Sequence, residues 1–416
     1  MCKIKNIRMC VDEGECITDD SDDSGSDVSM LDSDSSDMEN EDGSSSPTAV
    51  QHTSGDNASN KNEEEEEEED ELVKAIIQEK QRVREHPPDI QCDDYVVDLC
   101  FHPQKDILAA ATICGDVVFY KYTNENTSVI NTAELHMKAC RDIEFSDDGS
   151  TLFSSSKDLS IVSYDVEKDK FKNVYENAHE HPIYCMLVMD ENLIASGDDE
   201  GTVKLWDLRK KDPIFSIKET DDFVSCMLTT EAQRYLLCSS GDGTLTSINI
   251  GSRKLHLQSE PYDAELTSMA LVRSDTKVVT GSSKGKMYLF NWGEFGYHSD
   301  EFPGPKQAIN MLIPITENIV ITGCEDGLIR ATHLFPHRHL GIVGQHQFSI
   351  ESMDISNDGY LISSFSHDNT IKFWNIKYFE DVEVNEKEKS KKRKDMSHNL
   401  PSSKYKNPSD FFSGLV

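Results

Sequence analysis

From about residue 95 to residue 376 the chain alternates short apolar runs with polar turns, and the alternation repeats. In the stretch from Asn192 to Asp207 two apolar runs flank the turn Asp198-Asp199-Glu200-Gly201. Thr202, Lys204 and Trp206 alternate with Val203, Leu205 and Asp207, which is the period of a strand packed unequally on its two faces. Glycine tolerates positive φ, so Gly201 suits a tight hairpin turn between the two strands. The run from Leu361 to Asn375 repeats the arrangement, ending in Ile371-Lys372-Phe373-Trp374. An earlier strand precedes each hairpin, as in Val96–Phe101, Ile183–Met186 and Ile350–Met353. Helical periodicity is almost absent from this region, which excludes helical repeats of similar length.

The spacing of the hairpins is fixed. Tyr164, Trp206, Ile248, Phe290, Thr332 and Trp374 follow one another at intervals of 42 residues, and Tyr120 stands 44 residues before Tyr164. Six residues before these marks come Asp158, Glu200, Asp242, Lys284, Asp326 and Asp368; the next column holds glycine four times. A period of ~40–45 residues closing on Trp-Asp signals propeller blades. Seven marks predict an all-β, seven-bladed propeller over residues 89–384, closed so that no long sheet edge is left exposed. One chain terminus must complete the last blade, and either 90–92 or 382–384 could supply that strand.

These columns resemble the WD-repeat β-propeller family over roughly residues 90–380. The resemblance implies a structural network of His179, Ser196 and Trp206 in the third unit, where Glu200 stands at the expected Asp position. It implies a fuller set in the seventh unit: His346, Ser364, Asp368 and Trp374. Buried imidazole and indole N–H groups need partners, so these sets are expected to hold the fold rather than to catalyse. Where Trp is replaced, by Ile248, Phe290 and Thr332, apolar packing is expected to take over.

Outside the repeats the composition changes. Residues 12–71 carry 24 Asp or Glu against Lys61 alone, with many serines and no aromatics, so residues 1–71 form an acidic tail expected to be disordered. Ser24, Ser29 and Ser36 each have an acidic residue three positions on, a pattern resembling acidophilic kinase sites. In residues 72–88, Leu72, Val73, Ile76, Ile77 and Val83 share one helical face before Pro87-Pro88 stops the helix. Residues 385–416 are basic. Lys391, Lys392, Arg393 and Lys394 resemble a nuclear-import signal, which implies an import receptor as partner, and Phe411-Phe412 forms a candidate docking peptide. Together these ends are similar to a nucleolar branch of the WD-repeat family associated with ribosomal RNA production and ribosome biogenesis.

Charge narrows the partners. Of the net charge of −36, residues 12–71 carry −23, the first 11 residues +3 and residues 385–416 +4, which leaves −20 on the remainder. Such a ring repels a phosphate backbone unless its basic side chains cluster on one face. Basic proteins, ribosomal or chromatin-associated, are the expected partners, and direct nucleic-acid binding by the ring is disfavoured. Trp206, Asp207 and Arg209 match the Trp-Asp-x-Arg motif of WD-repeat substrate receptors; this resemblance implies a cullin-type ubiquitin-ligase adaptor as an alternative partner.

Enzymatic readings find little support. The stretch Gly281-Ser282-Ser283-Lys284-Gly285-Lys286-Met287 is too short for a phosphate loop, and Met287 stands where Ser or Thr is needed. His333, His337, His339 and His346 lie close in sequence, but a connecting segment explains them without a metal. No nucleophile–base pair has a local signature, and no cofactor or metal is expected. The 11 cysteines are scattered, and Cys100, Cys185 and Cys226 fall at apolar strand positions. Without a signal peptide or an apolar run of ~18 residues, a soluble protein of a reducing compartment is expected and no membrane partner; the basic cluster points to the nucleus, with a cytoplasmic fraction also allowed.

Overall fold

The computed structural model describes residues 85–381. Seven four-stranded antiparallel sheets follow one another along the chain. Their innermost strands are Val96–Phe101, Cys140–Phe145, Ile183–Asp190, Val224–Leu228, Leu266–Val272, Ile309–Pro314 and Ile350–Ile355. The apolar runs singled out in the sequence fall on these strands. Each innermost strand packs on the next, and Ile350–Ile355 packs on Val96–Phe101, which closes the circle. Burial follows position in the blade: Val224–Leu228 is wholly buried, while the outermost Lys254–Gln258 is mostly exposed. The only helical element described is a short 3-10 turn, Lys377–Asp381.

The N-terminal side closes the ring. Ile90–Gln91 pairs antiparallel with Thr370–Asn375 as the fourth strand of the last blade, Ile90 opposite Ile371 and Gln91 opposite Thr370. Cys92 N continues the ladder by donating to Asn369 O at 2.9 Å. Ile90 is buried with Val96, Phe365, Ile371 and Phe373, so the closing strand is held by apolar burial across the joint as well as by its short ladder. Pro87 and Pro88 have no N–H to donate, which limits the strand to its short length.

The turn column is equally regular. Gly201, Gly243, Gly285 and Gly327 have φ between 76° and 81°. A Cβ at Gly285 would fall 1.7 Å from Pro305 O, so side chain and backbone both forbid substitution there. Leu159 (φ 72°) and Asn369 (φ 54°) hold the same left-handed conformation without being glycine. The former Trp column is apolar where Trp is absent: Ile248 and Phe290 are buried. Thr332 is buried too, and among the described residues its Oγ1 finds no partner.

Candidate interaction face

Loops joining successive blades and turns between second and third strands lie at one end of the ring, here called the upper rim. In all seven blades the pairing of the first strand with the second slips by one residue at the same place. A bulge re-aims the extra residue's side chain, and bulges occur where a sheet must present something. The bulged residues run from Val97 in the first blade to Glu351 in the seventh, and most reach the neighbouring blade. Arg141 Nη1 lies 2.6 Å from Asp199 Oδ1, and its guanidinium stands 5.5 Å from the Tyr184 ring centroid. Ser225 Oγ donates to Leu266 O at 2.5 Å, Thr267 Oγ1 to Ile309 O, and Asn310 Nδ2 to Ile350 O at 2.9 Å. Glu351 Oε1 holds His367 Nε2 at 3.0 Å, which raises the His367 pKa. His367 stacks on Tyr95 across the ring joint, with centroids 5.2 Å apart.

Below the bulges, carboxylates of the first strands, three of them buried, join neighbouring blades. Asp98 Oδ2 accepts from Ile143 N at 2.9 Å, Asp142 Oδ2 from Met186 N at 2.7 Å and Glu144 Oε2 from Val188 N at 2.7 Å. Asp354 Oδ2 accepts from Phe101 N at 2.7 Å over the joint between the last and first blades. Part of the ring's negative charge is therefore spent on backbone amides of the next blade and never faces a partner.

The predicted networks assemble. Trp206 Nε1 donates to Ser196 Oγ at 2.8 Å, and Ser196 Oγ lies 2.6 Å from His179 Nε2. His179 Nδ1 is 2.9 Å from Asp198 Oδ2. The carboxylate comes from Asp198, not from the column holding Glu200, which is exposed and pairs with Lys218. In the last blade Trp374 Nε1 reaches Ser364 Oγ at 2.7 Å; His346 spans Ser364 at 2.8 Å and Asp368 Oδ2 at 3.1 Å. Burial lowers the pKa of His179 and His346 against the pull of Asp198 and Asp368, so each ring is neutral with its proton on Nδ1. The Asp–His–Ser order resembles a hydrolytic triad, but Ser196 is fully buried and its oxygen already accepts the indole N–H. Such a serine cannot meet a substrate.

A third network escaped the sequence reading. His136 Nε2 lies 2.8 Å from Ser154 Oγ, and its Nδ1 meets Ser160 Oγ at 2.9 Å and Asp158 Oδ2 at 3.3 Å. The signal was present: Ser154 and Asp158 follow His136 by 18 and 22 residues, as Ser364 and Asp368 follow His346. Tyr164 in the Trp column hid it, because its hydroxyl bonds Asp169 instead of Ser154.

At the opposite end, the Arg209 side chain is 71% exposed but folds back on Asp207, with Nε at 2.7 Å from Oδ1 and Nη2 at 3.0 Å from Oδ2. The guanidinium, with Lys210, keeps the Asp207 carboxyl well below the usual range. The four clustered histidines do not converge. His346 belongs to its blade's network, His333 Nδ1 lies 3.0 Å from Pro336 O, His337 Nε2 lies 3.1 Å from Asp300 Oδ2, and His339 packs on Phe302. Among the described residues no three His, Cys, Asp or Glu side chains are arranged to hold a metal ion. Burial pushes the Cys226 thiol up to about 12, which keeps it protonated. The candidate phosphorylation serines, the helix of residues 72–84, the alternative closing strand 382–384, the basic cluster 391–394 and Phe411-Phe412 all lie outside the described residues.

Comparison with known proteins matches the same region. The WDR55 family model covers residues 87–379. The WD repeat-containing protein 55 homolog of Aedes aegypti is 54% identical over 346 residues, which cover 83% of this chain and 74% of the relative. Those of Drosophila willistoni and Drosophila melanogaster are 52% and 50% identical over 347 residues, covering 83% of this chain and 69% and 70% of the relatives. A match that takes in all seven blades, with half or more of the aligned residues identical, makes this chain a member of the WDR55 family.

Proposed function

We propose that this protein is a scaffold for basic proteins in the nucleus, working in the nucleolus in ribosomal RNA production and ribosome biogenesis. A WD-repeat propeller of this family is a platform for protein–protein contact. The observation that carries the finer reading is the acidity of the upper rim. Glu180, Asp221, Asp222 and Glu265 are exposed there, while Lys218 and Lys284 are engaged by Glu200 and Asp263. A rim of this sign attracts lysine- and arginine-rich protein segments and repels a phosphate backbone. The nucleolar assignment rests on the likeness of the whole-chain layout, with its basic cluster at residues 391–394.

Proximity labelling combined with fluorescence localisation tests it. The wild-type chain should label ribosomal proteins and large-subunit precursors and concentrate in the nucleolus. Replacing Lys391, Lys392, Arg393 and Lys394 with alanine should abolish nuclear accumulation; an unchanged distribution rejects the import signal. The exposed Arg209, fixed in one orientation by Asp207, supports a second reading, that of a ubiquitin-ligase substrate receptor. Co-purification of a ligase adaptor, lost on Arg209→Ala, would favour it; adaptor absent from wild-type preparations would remove it.

A further inference from the structure

The strongest unexplained feature of the upper rim is a partly buried aromatic plate on the fourth blade, packed on the edge of the apolar cluster between the third and fourth blades. Phe223 ends the loop entering that blade, and Gly241 in the turn beneath leaves room for it. A Cβ at Gly241 would fall 2.4 Å from Phe223 Cε1 and 2.9 Å from Asp222 Oδ2. Tyr184 backs the plate from the third blade, with ring centroids 4.7 Å apart and planes at 34°. Asp221 and Asp222 stand exposed beside it. Among the described residues neither carboxylate is in an ion pair and no lysine or arginine lies over the Phe223 ring.

One blade earlier the molecule shows what fits such a place. Arg141 lies over Tyr184 while its Nη1 meets Asp199 Oδ1 at 2.6 Å, so an aromatic face and a carboxylate share one guanidinium. The Phe223 plate offers the same two elements, and no cation of the described residues fills them. The quadrupole of an aromatic face attracts cations, and arginine's planar, weakly hydrated head suits stacking with a carboxylate alongside.

We propose that Phe223, with Asp221 and Asp222, receives an arginine side chain of a basic partner protein. This rests on the reading that the ring's partners are basic proteins, and it assigns the place where one residue of the partner is recognised. Arg141 is then a fixed member of the rim, and the partner's arginine continues the stack from Tyr184 to Phe223.

The test is fluorescence anisotropy of the full 416-residue chain with a labelled peptide of alternating glycine and arginine, and with the same peptide carrying neutral citrulline. Wild type should bind the arginine peptide and bind the citrulline peptide at least tenfold more weakly. Phe223→Leu should weaken arginine-peptide binding about five- to tenfold, the range of a partly desolvated cation–π contact. The acidic N-terminal segment is the same in every variant; titration at about 0.3 M salt suppresses its diffuse attraction for the peptide, so that the difference between wild type and variant reports the rim. A thermal melt checks that Phe223→Leu folds. Where it does not, the pair Asp221→Asn with Asp222→Asn decides, since an amide oxygen in place of the Asp222 carboxylate can still accept from the Phe223 N–H. Undiminished binding in the folded variants overturns the plate and leaves the basic-partner reading standing. No arginine-peptide binding by wild type sinks both.

Discussion

Removing the hydroxyl at Ser196 should cost about twice as much as removing it at Ser154. Ser196 Oγ serves two groups: it accepts from Trp206 Nε1 at 2.8 Å and donates to His179 Nε2 at 2.6 Å. All three residues are buried. Ser196→Ala therefore orphans an indole N–H and an imidazole nitrogen together, and each buried orphan costs about 1–3 kcal/mol. The expected loss is roughly 2–4 kcal/mol, or about 4–8 °C in melting temperature for a ring of this size. Among the described residues Ser154 Oγ meets only His136 Nε2, since the Tyr164 hydroxyl is engaged by Asp169. Ser154→Ala should cost about 1–2 kcal/mol. Urea denaturation followed by tryptophan fluorescence and far-ultraviolet dichroism measures both. A double-mutant cycle sharpens the comparison: Trp206→Phe should cost about 1–2 kcal/mol less in the Ser196→Ala background than in wild type. Equal losses at the two serines, or strict additivity in the cycle, would refute the claim that the serine serves both the indole and the imidazole.

Three further outcomes follow from the geometry. Ile90→Ala should cost about 2–4 kcal/mol by removing buried volume at the ring joint; thermolysin should then cut near the closing strand faster, and an unchanged rate would mean that the joint is held elsewhere. Leu159→Gly should stabilise the protein by about 0.5–1 kcal/mol, because leucine at φ 72° bears a steric cost that glycine escapes; a lower melting temperature would show that its side-chain packing outweighs that cost. Acidification from pH 7.5 to 5.5 should lower the melting temperature. His179 and His346 have folded pKa values below the unfolded value of ~6.5, so the unfolded chain binds protons first and stability is lost as pH falls through that range. His367 is shifted upward by Glu351 and works in the opposite sense, so His367→Gln should steepen the fall, while a flat profile in wild type would contradict the neutral-imidazole assignment.

How far the sequence foretold this depends on how local each determinant is. The seven blades were legible because each strand's burial is written in its own period and repeats every 42 residues. The networks at His179 and His346 were legible because Trp marks them. His136 was overlooked because Tyr164 replaces that mark while the spacing survives. Asp198 was overlooked for a related reason: the column that aligns blades by sequence holds Glu200, yet the side chain that reaches the imidazole stands two residues earlier. The closing strand could not be chosen from sequence, because both candidate segments are short and alternate apolar, polar, apolar; the choice depends on burial of Ile90 against Ile371 and Phe373 from the far end of the chain. The bulges left only a faint trace, a polar or aromatic second position in most of the first-strand runs, since a one-residue slip is a property of the pair of strands and not of either alone.

That slip also separates what holds the ring from what the ring can present. The apolar cores lie between blades, and the His–Ser–Trp sets and the inner carboxylates bind strand to strand below the rim, so a change in any of them is felt as lost stability. The partly buried Phe223 stands between the two. Its backbone N–H is satisfied by Asp222 and its carbonyl by Gly241 N, while its ring packs on the turn beneath, on Tyr184 and on the edge of the apolar cluster between the third and fourth blades. The ladder of the fourth blade is complete without that ring, because pairing runs from Val224 to Ser240 and onward. The bulged and loop positions of the upper rim can therefore vary in chemistry at little cost to the fold, and this freedom is what allows one repeated scaffold to carry a recognition surface of its own. The charge distribution follows the same division: buried carboxylates such as Glu144 join blades, while exposed ones such as Asp221, Asp222 and Glu265 stay available at the upper rim, so acidity is compatible with a stable core and with a basic partner.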